Sequence, residues 1–251
     1  MADLLSIVVA IQNNKGETRV AKYTAALLDI DDTILDFQAT EHESLKAVLH
    51  HYHIPFSEEN IQRYQAINRQ LWQQYEEGKI SRQQIFTERY CRFFAELGVE
   101  YDGIEADDLY REQLNEGHQV IQNSHWLLQT LRDHGYFIYA ATNGIKDTQY
   151  RRLRDAGYLD YFNGLYISEE VGFQKPDERF FDFIFQTNHQ LEVAKTVMIG
   201  DSLTADIRGG NRYGIDTVWF NPRHLPNDTA IHPTYEIHDL TELADCLELK
   251  S

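Results

Sequence analysis

Ala25-Ala26-Leu27-Leu28-Asp29-Ile30-Asp31-Asp32-Thr33-Ile34 passes from four aliphatic residues straight into three acids within four positions. The run Ala25–Ile30 reads as a buried strand, because short, bounded apolar runs of this kind suit a sheet covered on both faces. Strand alternation places Asp29 and Asp31 on the same side, although the chain is leaving the strand there. Such crowding of negative charge is unfavourable unless a cation compensates it. A helix cap or a turn accounts for one of these acids and not for three. A hard divalent cation with oxygen ligands accounts for the cluster, and Mg²⁺ suits it best.

Further strand-like runs follow at Tyr136–Ala141, Leu165–Ile167, Val197–Ile199 and Thr217–Phe220. Between them the pattern predicts helices over Ser124–His134, Lys146–Ala156, Asp177–Thr187 and Leu203–Tyr213. Gly135, Gly157 and Gly214 stand where three of them should stop, and Pro176 precedes the start of another. Strand–helix alternation implies an α/β fold with a doubly wound parallel sheet.

The stretch from about Thr40 to His118 has a different texture, with no strand-like run. Thr40-x-x-Glu43 and Ser81-x-x-Gln84 have the form of capping boxes, and Ile61, Tyr64, Ile67, Leu71 and Tyr75 recur at helical spacing. The stripe is read as a helix core. This segment is therefore expected to be an inserted all-helical domain. It leaves the sheet at a strand's C-terminal end, where open α/β sheets bind their ligands.

Other strand ends carry polar groups too. Gly200-Asp201-Ser202, with Asp206 following, adds a carboxylate that pairs with the Asp29 cluster as a metal ligand. Thr142-Asn143-Gly144 offers a hydroxyl, an amide and a flexible backbone, which suit a phosphate oxygen. Lys175, before Pro176, is a compact point charge suited to a transferring phosphoryl group. Each signal alone also fits an ordinary cap or a surface residue. Together they supply a nucleophile, hydrogen-bond donors, a cation and metal ligands.

Composition narrows the partners. The formal net charge of −17 and pI of about 5.0 disfavour nucleic acid polymers and anionic membranes. The apolar run Leu4–Ile11 is too short to span a bilayer and reads as an extra strand or extension. Asn13-Asn14-Lys15-Gly16 after it would turn a small hairpin. Cys91 and Cys246 have no metal or redox spacing, which fits reduced thiols in a cytoplasmic protein. His50, His51 and His53 are read as surface residues rather than a metal site. Most of the Tyr and Phe residues should be core. Phe37 is the candidate substrate contact, with plain packing as its default.

Asp29-x-Asp31-x-Thr33, Thr142, Lys175-Pro176 and Gly200-Asp201 with Asp206, in this order, resemble the four motifs of the haloacid dehalogenase superfamily. The resemblance runs from about residue 23 into the C-terminal region. It implies a Rossmann-like core over residues 23–37 and 119–251 and a helical cap of the superfamily's first type over 38–118, with residues 1–22 an extension of unassigned role. More narrowly, the chain looks like the pyrimidine 5′-nucleotidase branch. The residues behind this are Asp32-Thr33-Ile34-Leu35-Asp36-Phe37, Leu71-Trp72, Glu77-Gly78-Lys79, Thr142-Asn143-Gly144, Gln149-x-x-Arg152-Leu153, Phe173-Gln174-Lys175-Pro176 and Gly200-Asp201-Ser202-Leu203-Thr204-Ala205-Asp206-Ile207.

By that resemblance Asp29 is the nucleophile and Asp31 the general acid and base. Mg²⁺ is held by Asp29, Asp201 and the Asp31 carbonyl, with Asp206 binding it directly, through water, or by orienting the loop. Thr142, Asn143 and Lys175 hold the phosphoryl oxygens. Haloalkanoate dehalogenases of the superfamily typically lack the second acid, since halide leaves without a proton, so Asp31 favours phosphate-ester hydrolysis. The expected partner is a small phosphorylated metabolite, a nucleoside monophosphate by the resemblance, and the chain a monomer or homodimer. Two alternatives stay open: a sugar-phosphate or other small-metabolite phosphatase of the same fold, and a non-catalytic phosphate-ligand-binding regulator.

Overall fold

The computed structural model describes residues 10–12, 18–20 and 22–249. β1 (Ala10–Gln12) and β2 (Thr18–Val20) pair antiparallel, with Ile11 opposite Arg19. That pairing agrees with a small hairpin. The turn Asn13-Asn14-Lys15-Gly16 and the run Leu4 to Val9 lie outside the described residues.

The chain divides into two compact units. The first comprises Met1–Ile34, Ile121–Gly144 and Gly157–Ser251, the second Leu35–Val120 and Ile145–Ala156. In the first unit, β3 (Ala25–Leu28), β4 (Phe137–Thr142), β5 (Gly164–Ile167), β6 (Thr196–Gly200), β7 (Asp216–Phe220) and β8 (Tyr235–Ile237) form one sheet in the order β5-β4-β3-β6-β7-β8. All of its pairings are parallel. β3 lies at the centre, with Ala25 opposite Phe137 on one side and Thr196 on the other. Strand order reverses across it, and such a switch point opens a crevice at the strands' C-terminal ends.

The central strands are apolar because both faces are covered. Ala25, Leu27, Tyr139, Ala141 and Met198 pack with Phe180, Phe181 and Ile184 from the helix Glu178–Thr187. Phe180 and Phe181 are fully buried, and each such side chain contributes about 1.5–3 kcal/mol. Gly209 lets the helix Arg208–Tyr213 come close, since a methyl group there would stand 2.9 Å from the Phe181 ring. The strand β8 has no apolar run to announce it: of its three residues only Ile237 is buried.

The second unit is helical: α1 (Phe37–His51), α2 (Glu58–Glu76), α3 (Arg82–Leu97) and α4 (Gly103–Leu114), together with the helix Lys146–Asp155. The Ser81/Gln84 capping box forms as expected, with Ser81 N donating to Gln84 Oε1 at 2.8 Å. The Thr40/Glu43 box does not. α1 begins four residues earlier, where Asp36 accepts from Ala39 N at 2.8 Å. Thr40 is buried in the first turn, donating to the Asp36 carbonyl and to Gln119 Oε1, both at 3.0 Å. Asp36 is the stronger cap and takes the position first.

The helical stripe is core. Tyr64, Ile67, Leu71 and Tyr75 are buried with Tyr90, Phe93, Phe94 and Tyr110, and Ile61 packs against them. Through this core runs a polar line. Arg89 donates to Asp107 at 2.9 Å and to Asn68 at 3.1 Å, and Asn68 donates to Glu41 at 2.7 Å. His50, His51 and His53 are exposed. No helix among the described residues is long and apolar enough to cross a membrane.

Candidate active site

Asp29 stands one residue beyond β3, and its amide still donates to Ile199 of β6 at 2.9 Å, so the carboxylate is fixed at the sheet's C-terminal edge. The chain then folds back sharply. The Ile30 carbonyl accepts from Thr33 N at 3.3 Å and Ile34 N at 3.0 Å, and this turn holds Asp32 at φ 57°. Asp31 and Asp32 are partly buried within it.

The adjacent strands deliver the other groups. β4 ends on Thr142, whose hydroxyl accepts from Gly144 N at 2.9 Å. Asn143 clamps the Lys175 backbone with both ends of its amide: Nδ2 donates to the Lys175 carbonyl and Oδ1 accepts from Lys175 N, each at 2.9 Å. Lys175 is buried, and its Nζ donates to Asp29 Oδ1 at 2.7 Å, to Asp206 Oδ1 at 2.6 Å and to the Ala141 carbonyl. β6 ends at Gly200, and Asp201 follows, its carbonyl taking a 2.8 Å bond from Trp219 Nε1.

Leu203–Ile207 was expected to open an α-helix and instead forms a π-helical turn, with Arg208–Tyr213 continuing as α-helix. The wider turn aims Asp206 back toward the strand, where its Oδ2 accepts from Ser202 N at 3.1 Å. Single π-turns are frequent at functional sites. Gly200 makes room for this carboxylate, since a methyl group there would stand 2.1 Å from Asp206 Oδ2.

Asp29, Asp201 and Asp206 thus converge, each offering an oxygen within 4.8 Å of the others. Among the described residues this is the grouping with metal-ligand spacing, and the three histidines near position 50 form none. Burial, helped by Asp206 and Asp31, pushes the Asp29 carboxyl up to about 8 against the opposing pull of Lys175. Burial and the charges of Asp29, Asp206 and Asp32 push Asp201 well above the usual carboxylate range. Burial works against the charge on Lys175, but Asp206 and Asp29 outweigh it and hold the ammonium above its ordinary value.

Of the residues singled out in the sequence, the structure brings Asp29, Lys175, Asp201 and Asp206 into one cluster, with Asn143 fixing Lys175, while Asp31 and Thr142 sit on the segments that frame it. Phe37 belongs to the helical unit, half-buried against that unit's core, with the Arg152 guanidinium 5.6 Å from its ring centre. Two supports were not foreseen, the Ala141 carbonyl and Trp219, and the Asn143 amide, expected to suit a phosphate oxygen, holds the Lys175 backbone instead. Backbone acceptors carry no sequence signal, and Trp219 reads simply as part of an apolar strand.

A family model of haloacid dehalogenase-like hydrolases matches residues 26–220. A solved structure of the HAD-hydrolase YfnB from Bacillus subtilis, bound to magnesium, superposes with a TM-score of 0.85 at 42% identity, covering 90% of this chain and 99% of that one. The pyrimidine 5′-nucleotidase PynA of Streptococcus pneumoniae is 42% identical over 226 residues, 90% of this chain and 95% of PynA. The pyrimidine 5′-nucleotidase YjjG of Escherichia coli is 30% identical over 226 residues, 90% of this chain and 98% of YjjG.

Proposed function

The chain belongs to the haloacid dehalogenase-like hydrolases, and from that premise we propose that it is a Mg²⁺-dependent phosphatase of nucleoside 5′-monophosphates that works through an aspartyl-phosphate on Asp29. The observation that carries this reading is the convergence of three carboxylates, two of them bonded to one buried ammonium, at the edge where the sheet's strand order reverses.

The donor set fits Mg²⁺. Its members are carboxylates, the ligands a hard cation prefers, and three such charges near one lysine leave negative charge to neutralise. Asp29, Asp201 and the Asp31 carbonyl would hold the ion, with Asp206 joining directly or through water. When bound, it would favour the ionised form of Asp29 and offset charge on the transferring phosphoryl group.

The chain's own residues divide the work. An Asp29 carboxylate oxygen attacks phosphorus, and the bond from phosphorus to the ester oxygen breaks. Asp31 gives its proton to that leaving oxygen, then takes one from the water that attacks the aspartyl-phosphate. The second displacement releases inorganic phosphate and restores Asp29. Lys175 and the Thr142–Asn143 segment would bind the phosphoryl oxygens, each such preorganised contact contributing about 3 kcal/mol to the transition state. The helical unit would act as the cap that selects the substrate, with Phe37 a candidate contact for the base. The pyrimidine 5′-nucleotidase relatives support a nucleotide over a sugar phosphate. The acidic surface and two free cysteines support a cytoplasmic location.

A substrate panel tests the reading. With Mg²⁺ present, pyrimidine nucleoside 5′-monophosphates are expected to give the highest kcat/KM, sugar phosphates at least tenfold less, and EDTA should stop both. A preference for sugar phosphates would move the substrate class. No hydrolysis of any ester, an aryl phosphate included, would contradict a phosphatase.

A further inference from the structure

We propose that Arg152 is a positioning residue for substrate selection, its buried guanidinium spanning the Phe37 ring and the Gly117 carbonyl and so fixing where the chain enters and leaves the helical unit. The inference rests on the reading of that unit as the cap that selects the substrate. All the groups involved belong to the helical unit itself.

The starting observation is one face of the helix Lys146–Asp155. Thr148, Arg151 and Arg152 stand at i, i+3 and i+4, positions that share a helix face. They meet three successive residues in chain order. Thr148 Oγ1 donates to Asn115 Oδ1 at 2.6 Å, Arg151 pairs with Glu116, and Arg152 Nε donates to the Gly117 carbonyl at 2.8 Å. Gly117 in turn lies tight against α1, since a methyl group there would stand 2.1 Å from Thr40 Cγ2. Asp36 N donates to the Gln119 carbonyl at 2.9 Å, so the outgoing segment is laid along the start of α1.

Arg152 reaches the ingoing side as well. Its guanidinium carbon lies 5.6 Å from the ring centre of Phe37, the first residue of α1, within reach of cation–π attraction. Burying a guanidinium is costly, and Gly117 and Gln149 each accept from it, the latter at 3.5 Å. A planar group donates in its plane while offering its face to a ring, which an ammonium does not. The placing of Phe37 therefore depends on Arg152 and on the outgoing segment together. With Phe37 a contact for the base, an error there falls on a nucleotide more than on an ester that has no base.

A double-mutant cycle tests this, read as the ratio of kcat/KM for a pyrimidine nucleoside 5′-monophosphate to that for an aryl phosphate. Arg152→Met and Phe37→Leu should each cut the ratio about tenfold, mainly through KM, the low end for one altered apolar contact in a pocket. The double variant should lose no more than either single one, since one residue acts through the other. Arg152→Lys should resemble Arg152→Met. Equal losses on both esters, additive losses, or a wild-type ratio in Arg152→Lys would overturn the proposal. So would a wild-type ratio in Phe37→Leu, whether or not Arg152→Met folds by circular dichroism. A wild type with no preference for the nucleotide would overturn the substrate reading first, and this inference with it.

Discussion

Lys175 is the residue on which the site turns, because one ammonium answers two carboxylates and a carbonyl from separate segments of the chain. Its neighbour in effect is Gly200, which does nothing chemically but leaves the space that Asp206 occupies. Asp206 cannot yield easily, since Lys175 and Ser202 N hold both of its oxygens. Gly200→Ala should therefore destabilise the protein by about 1–3 kcal/mol, the usual range for overpacking. It should also cut kcat at least tenfold by displacing that carboxylate. Denaturant unfolding and initial rates check both, and a variant with wild-type stability and rate would show that the π-turn relaxes at no cost. At this scale the acids were legible in the sequence, because charge at the end of an apolar run is anomalous, and the lysine was legible only in their company. The glycine's role was legible only as permission for close approach. The partner it admits depends on how a turn three residues later winds.

Among the elements, those with long apolar or periodic runs were legible, and the exceptions have physical causes. The edge strand β8 buries one residue of three, so it leaves no alternating pattern to read. The π-turn at Leu203–Ile207 has the composition of an α-helix start and differs only in which carbonyl each amide meets. α1 starts at Asp36 rather than Thr40 because two capping residues compete and tertiary contacts claim the second.

The helical unit carries its own pH dependence. Burial raises the phenols of Tyr64, Tyr90 and Tyr110 well above their ordinary value of 10. A folded pKa above the unfolded one gives stability that is complete below pH 10 and is lost as pH climbs past it, since the unfolded chain sheds protons that the folded one keeps. Ultraviolet titration should show these three phenols silent until the unit unfolds. Their Phe variants should remove only that late phase. All fifteen tyrosines ionising together near pH 10, with helicity intact, would contradict the packing described.

For the whole molecule, a formal net charge of −17 opposes an anionic substrate at long range. Attraction has to be assembled locally, and the sheet does this by bringing strand ends from distant parts of the sequence to one edge. The second, helical unit follows the first strand of that sheet directly, which is where a selective cap would be inserted. The covalent step proposed on Asp29 is tested most directly by chemical trapping. Turnover of a pyrimidine nucleotide with Mg²⁺ is quenched and reduced with borohydride, which converts an aspartyl-phosphate to homoserine, and the peptides are read by mass spectrometry. Homoserine at position 29, in samples quenched during turnover and not in substrate-free controls, is the predicted result. An unmodified Asp29 under sustained turnover, or the modification at another carboxylate, would contradict the account.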